Sequence, residues 1–218
     1  MRRLRRVAGI TYAAEAGIRI NDKPMPLFQL LVLCMPASKP IDAATAMPAA
    51  REQFKAGLRT PKAVLASERG TMINAFGRAH YVRYDESSAT RLTDIAQRVR
   101  DEYSGDLRNI AGRSRHDVAE AKRMLKNFNG IGDTGTDICL REVQDVWTWV
   151  RPYFDDRATD TAKRLSLPGE PAKLSAPAPR ISAQLAAALV RVSLDGDLRR
   201  QVKAVDRVER GDLARTLS

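Results

Sequence analysis

The sequence predicts an all-α fold. Apolar residues recur at three- and four-residue spacing through most of the chain, and no stretch sustains the period-two alternation of a half-buried strand. Proline and glycine interrupt the pattern at intervals suited to short helices.

The elements follow in order. Residues 1–26 open with MRRLRR and read as a basic N-terminal segment rather than a mitochondrial presequence, because Glu15 and Asp22 bring acid and the segment runs into an apolar helix; no apolar secretory core follows the arginines. Leu27, Leu30, Leu31 and Cys34 then mark a helix expected to end at Pro36. Asp42 is placed to cap a second helix through Ala43, Ala46, Ala50 and Phe54, with a stop at Gly57. Thr60-Pro61 starts a third, running to about Arg69, and Thr71 to Gly77 forms a fourth. From Ser87 to Tyr103, Ala89, Leu92, Ile95, Ala96 and Val99 share a face, and Ser104-Gly105-Asp106 ends it. His116 to Phe128 follows, with Val118, Ala121, Leu125 and Phe128 on one side. A tight turn at Asn129-Gly130-Ile131-Gly132 leads to a helix from about Asp133, on which Leu140, Val143, Trp147 and Val150 form a stripe. Trp147 and Trp149, two positions apart, are expected on different faces of it. Ala158 to Leu165 is helical, Leu167 to Pro179 is a proline-rich loop, and Ile181 to Val192 is the last apolar helix. This makes eight to ten short helices without a regular repeat.

Composition narrows the function. With 44% apolar and 29% charged residues, wholesale disorder is excluded. The apolar run ending at Met35 is far shorter than the roughly 20 residues of a membrane span. Cys34 and Cys139, with His80 and His116, cannot supply an iron–sulfur cluster or a four-ligand zinc site, and reduced thiols are expected. The net charge is +11, so a polyanionic partner is favoured over a membrane. Positive charge is in surplus over residues 1–24, 97–126 and 180–218, whereas residues 128–170 carry a negative excess.

That acidic stretch holds the candidate chemistry. Gly130 and Gly132 permit positive φ and leave amides uncovered at a helix start, a place for a phosphate oxygen, while Ile131 plugs the space between two helices. Lys126 stands just before the turn as a basic contact, and Asp133 and Asp137 just after it oppose phosphate binding.

The run Phe128-Asn-Gly-Ile-Gly-Asp-Thr-Gly-Thr136 resembles the helix-hairpin-helix of the endonuclease III superfamily of DNA glycosylases, whose pattern is L-P-G-hydrophobic-G-x-x-[TAG]-A. The resemblance implies a two-lobed helical fold, with residues 27–130 as a barrel lobe and 131–218 as a second lobe on which residues 1–26 pack. It also implies phosphate binding at Gly130, Ile131, Gly132 and Gly135. Thr134 stands where bifunctional members carry the Schiff-base lysine, which points to a monofunctional enzyme. A catalytic aspartate is expected about twenty residues on, where Asp155 is the better match and Asp156 the fallback. Ser38 falls nearest the residue that fills the gap left by an extruded base. No cofactor is implied beyond a monovalent cation at the hairpin. The expected partner is double-stranded DNA with a damaged or mismatched base, bound by a monomer at the nucleoid in the cytoplasm. Two other readings stay open: a non-catalytic DNA-binding or damage-sensing protein, and an all-α protein-interaction module.

Overall fold

The computed structural model describes residues 1–37 and 43–202, and these are all-helical with no strand among them. Ser38, expected at an extruded base, and Asp42, expected to cap a helix, lie outside the described residues. No helix among those described is long and apolar enough to cross a membrane.

The chain forms two compact units, one of residues 12–150 and one of residues 1–11 with 151 onward. The larger unit is built on α3 (Pro24–Ala37). Every residue of α3 from Pro26 to Pro36 is buried, as expected of a helix that is apolar all round. Pro24 and Pro26 sit in its first turn, where the missing N–H costs nothing. Pro36 does not terminate it: the proline falls in the last turn, so the helix runs on to Ala37.

Around α3 pack α4 (Ala43–Lys55), α7 (Asp85–Tyr103) and α10 (Asp133–Val143). α5 (Pro61–Leu65) and α6 (Arg69–Arg78) lie against α7. Thr60 caps α5 by accepting from the Ala63 amide at 3.2 Å, and α5 ends at Leu65, short of the expected Arg69. α8 (Asn109–Arg113) leads to α9 (Val118–Lys126), which pairs with α10. The short α2 (Tyr12–Glu15) is tied to α10 by Glu142, whose carboxylate oxygens accept from the Tyr12 and Ala13 amides at 3.1 and 3.0 Å.

Two expectations are corrected here. The helix after the turn stops at Val143, not beyond Val150, and residues 144–150 run through successive turns. In the turns that follow, the Trp147 indole N–H donates to Asp22 Oδ1 at 3.1 Å. The indoles of Trp147 and Trp149 therefore stack, with ring centroids 5.5 Å apart and planes 21° off parallel. The boundary between units also lies at 150/151, beyond the expected 130/131, because α10 packs on α3 within the larger unit.

In the smaller unit α13 (Ser182–Leu194) is the buried centre. α1 (Arg2–Ala8) sets Leu4 and Ala8 against it, and α11 (Asp156–Arg164) sets Ala158 and Ala162. The Arg191 side chain donates to the Ile10 carbonyl at 2.7 Å, fixing the end of α1. Only the first eleven residues of the basic segment belong to this unit. Within the proline-rich stretch Pro171 starts α12 (Pro171–Ser175), with proline at the first helical position.

Candidate nucleic-acid interface

The α9–α10 hairpin is set by its sequence at each step. Asp117 caps α9, its Oδ1 accepting from the Glu120 amide at 2.7 Å. Asp117→Ala is expected to cost about 1 kcal/mol and Asp117→Asn almost nothing, as read from urea unfolding midpoints. α9 closes with Phe128, which is buried and stacks on Tyr103 at 5.6 Å. Gly130 then takes φ +88°, the left-handed region that reverses the chain, and Ile131 donates to the Phe128 carbonyl at 3.0 Å. Ile131 is buried between the helices, and Gly132 is the N-cap residue of α10. The Thr136 amide and hydroxyl donate to the Gly132 carbonyl at 3.0 and 2.9 Å, so the helix begins without a side-chain cap.

Gly132, Asp133 and Thr134 are exposed at this helix start, whereas Gly135 and Thr136 are buried beneath it. A Cβ on Gly132 would meet nothing within 4 Å. The two acidic residues that oppose phosphate binding are both neutralised. Lys126 pairs with Asp133 at 2.5 Å and Lys122 with Asp137 at 2.6 Å. The Lys126 ammonium holds the Asp133 carboxyl below its ordinary pKa. Lys126 therefore spends its charge on Asp133 within the hairpin.

Sequence reading missed one side of the site. Arg91, Asp94 and Arg98 project from one face of α7 onto the turn. The Arg98 guanidinium donates to the Asn127 carbonyl, and Asp94 Oδ2 accepts from the Asn129 side-chain amide at 2.6 Å. Arg91 lies against Gly130. The i, i+3, i+7 spacing was visible, but nothing local shows that the turn lands on that stripe rather than water.

A monovalent cation at the turn would need backbone carbonyls. Those of Asn127, Phe128 and Gly132 already accept from Arg98, the Ile131 amide and Thr136, and Arg98 brings a fixed positive charge to the first.

The other candidates fall as follows. Asp155 is the N-cap of α11 in the smaller unit, half-buried after buried Phe154, with Oδ1 accepting from the Ala158 amide at 2.9 Å. Asp156 is the first helical residue and is exposed. Thr134 belongs to the larger unit. Two tyrosines that the sequence alone would allow to line a base pocket, Tyr12 and Tyr81, are core residues: Tyr12 lies under the Arg141 guanidinium, and burial pushes the Tyr81 phenol up. Trp149 is half-exposed, with the His116 ring edge-on at 5.4 Å. Cys34 and Cys139 are buried without a disulfide, and burial together with the neighbouring Cys139 thiol raises the Cys34 pKa. Comparison with family models, curated proteins and solved structures found no match.

Proposed function

We propose that this chain binds duplex DNA through the α9–α10 hairpin and excises a damaged or mispaired base as a monofunctional N-glycosylase. The observation that carries the reading is the turn itself. Gly130 in the left-handed region and an uncapped α10 start present exposed residues Gly132 to Thr134, where backbone dipoles favour a phosphate oxygen. Such a contact carries no base information, so it positions the duplex and leaves lesion choice to a pocket that takes the flipped nucleotide.

In this proposal Asp155 is the catalytic carboxylate, with Asp156 as its fallback. A carboxylate beneath the sugar stabilises the oxocarbenium-like transition state and orients water as the glycosidic bond breaks. Thr134 has no amine, so no Schiff base forms there and the strand stays intact after base loss. The protein acts as a monomer on chromosomal DNA.

A second reading, a non-catalytic DNA-binding protein, is favoured by the cap that Asp155 forms on α11. Asp155→Asn separates the two, because asparagine caps about as well as aspartate and leaves stability within roughly 0.5 kcal/mol. Duplexes with oxidised, alkylated, deaminated and mispaired bases are incubated with protein, then treated with or without alkali. Alkali-dependent breaks are expected with the natural chain and should fall on the order of a hundredfold in Asp155→Asn. Duplex binding without breaks on any lesion would establish the non-catalytic reading.

A further inference from the structure

We infer that Arg91 is a phosphate-binding residue: its guanidinium contacts the DNA strand beside the Gly130-Ile131-Gly132 turn and supplies the ionic contact that the hairpin's own cations do not. The inference rests on the proposed hairpin reading and adds to it a residue from a different helix.

Charge accounting around the turn leads to it. On α9, Lys122 faces Asp137, Arg123 faces Glu120 and Lys126 faces Asp133, so each cation of that helix is already paired with a carboxylate. Arg98 on α7 pairs with Glu102 at 3.0 Å and donates to Asn127. Asp94 is engaged by Asn129. Arg91 differs from all of these. Its one hydrogen bond goes to a neutral group, the Ser87 hydroxyl at 3.2 Å, and among the described residues no carboxylate pairs with it.

Its position is equally specific. A Cβ built on Gly130 would lie 2.7 Å from Arg91 Cδ and 3.5 Å from its Nε. Gly130 therefore lets the backbone ride directly over the Arg91 stem and holds the half-buried side chain along the turn. The stem is packed while the head reaches exposed Ser87, as expected of a long cation that buries its methylenes and keeps its charge in water. A planar fork there can take a phosphate oxygen in a charge-assisted bond.

The test is the salt dependence of duplex binding, followed by fluorescence anisotropy with one undamaged and one lesion-bearing duplex over a KCl series. Arg91→Gln should flatten the slope of log Kobs against log salt by about 0.9, the value for one phosphate contact. At low salt it should bind both duplexes roughly three- to tenfold more weakly, since a phosphate contact does not read sequence. Arg91→Lys should recover the slope. A wild-type slope in Arg91→Gln overturns the inference, as does failure of Arg91→Lys to recover it while melting like the natural chain. Gly132→Leu, at a position where a Cβ meets nothing within 4 Å, crowds the α10 start and tests the hairpin without altering Arg91. Weak binding by Gly132→Leu beside a wild-type slope in Arg91→Gln leaves the hairpin reading standing without Arg91. Unaltered binding by Gly132→Leu overturns both.

Discussion

Replacing Gly130 with alanine is expected to destabilise the protein by about 2–4 kcal/mol, the sum of two separate penalties. The first is conformational: at φ +88° any residue with a Cβ pays roughly 1–2 kcal/mol. The second is steric. The new methyl group would lie 2.7 Å from Arg91 Cδ and 3.3 Å from Met35 Cγ, and Met35 is fully buried in α3 and cannot retreat. Relief comes from swinging the half-buried Arg91 side chain off the turn or from moving the turn away from α7, and the second course breaks the Asn129–Asp94 and Arg98–Asn127 hydrogen bonds. Duplex affinity should fall with stability, because the α10 start is displaced. Gly132→Ala is the control: it has φ −91° and meets nothing within 4 Å, so only the poorer N-cap, about 0.5–1 kcal/mol, is lost. Urea unfolding and anisotropy on both variants check this. Equal midpoints for the two alanines would show that the turn tolerates a side chain where the geometry forbids one.

The contrast between these glycines marks how far the sequence can be read. The pattern Gly130-Ile131-Gly132 between two amphipathic helices announces a reversal, a buried plug and an open helix start, since those follow from residues next to one another. It cannot say that Gly130 faces a neighbour and Gly132 faces solvent, because the neighbour, Arg91, is contributed by another helix. The Trp147–Trp149 stack was hidden for a related reason. Helical periodicity continues past Val143, and the Trp147 indole that follows the helix end finds its partner in Asp22, far away in sequence. The all-α class and the buried α3 were legible because apolar periodicity reports burial directly. The candidate carboxylates were legible only as residues at a helix start, where Asp155 serves as a cap whatever else it does. The basic opening segment looked continuous to residue 26. It divides after Thr11, where the chain passes to the unit whose buried Glu142 binds Tyr12 and Ala13.

Glu142→Leu is expected to be the most damaging stability change in the larger unit, at about 3–5 kcal/mol. The side chains of Glu142 and Arg141 are 1% and 3% exposed, with their charged groups 4.0 Å apart. Glu142 accepts from the two amides that open α2, and its charge balances the guanidinium that lies 5.4 Å from the Tyr12 ring centroid. Leucine fills much of the volume but leaves two buried N–H groups without this acceptor, each worth about 1–3 kcal/mol, and removes the carboxylate that lies 4.0 Å from the buried guanidinium. Glu142→Gln should cost less, because its amide oxygen still accepts one of the two bonds. The double variant Arg141→Met with Glu142→Leu should recover part of the loss, since both members of the buried pair are then removed together. Urea midpoints for the three variants decide it. If Glu142→Leu and the double variant unfold together, the ion pair contributes nothing and the damage comes from the amides alone. The functional consequence follows from position: Glu142 sits in the last turn of the helix whose first turn is proposed to meet phosphate. Anchoring that far end to α2 keeps α10 seated on α3, and a hairpin proposed to hold phosphate through fixed backbone amides needs its second helix held in place.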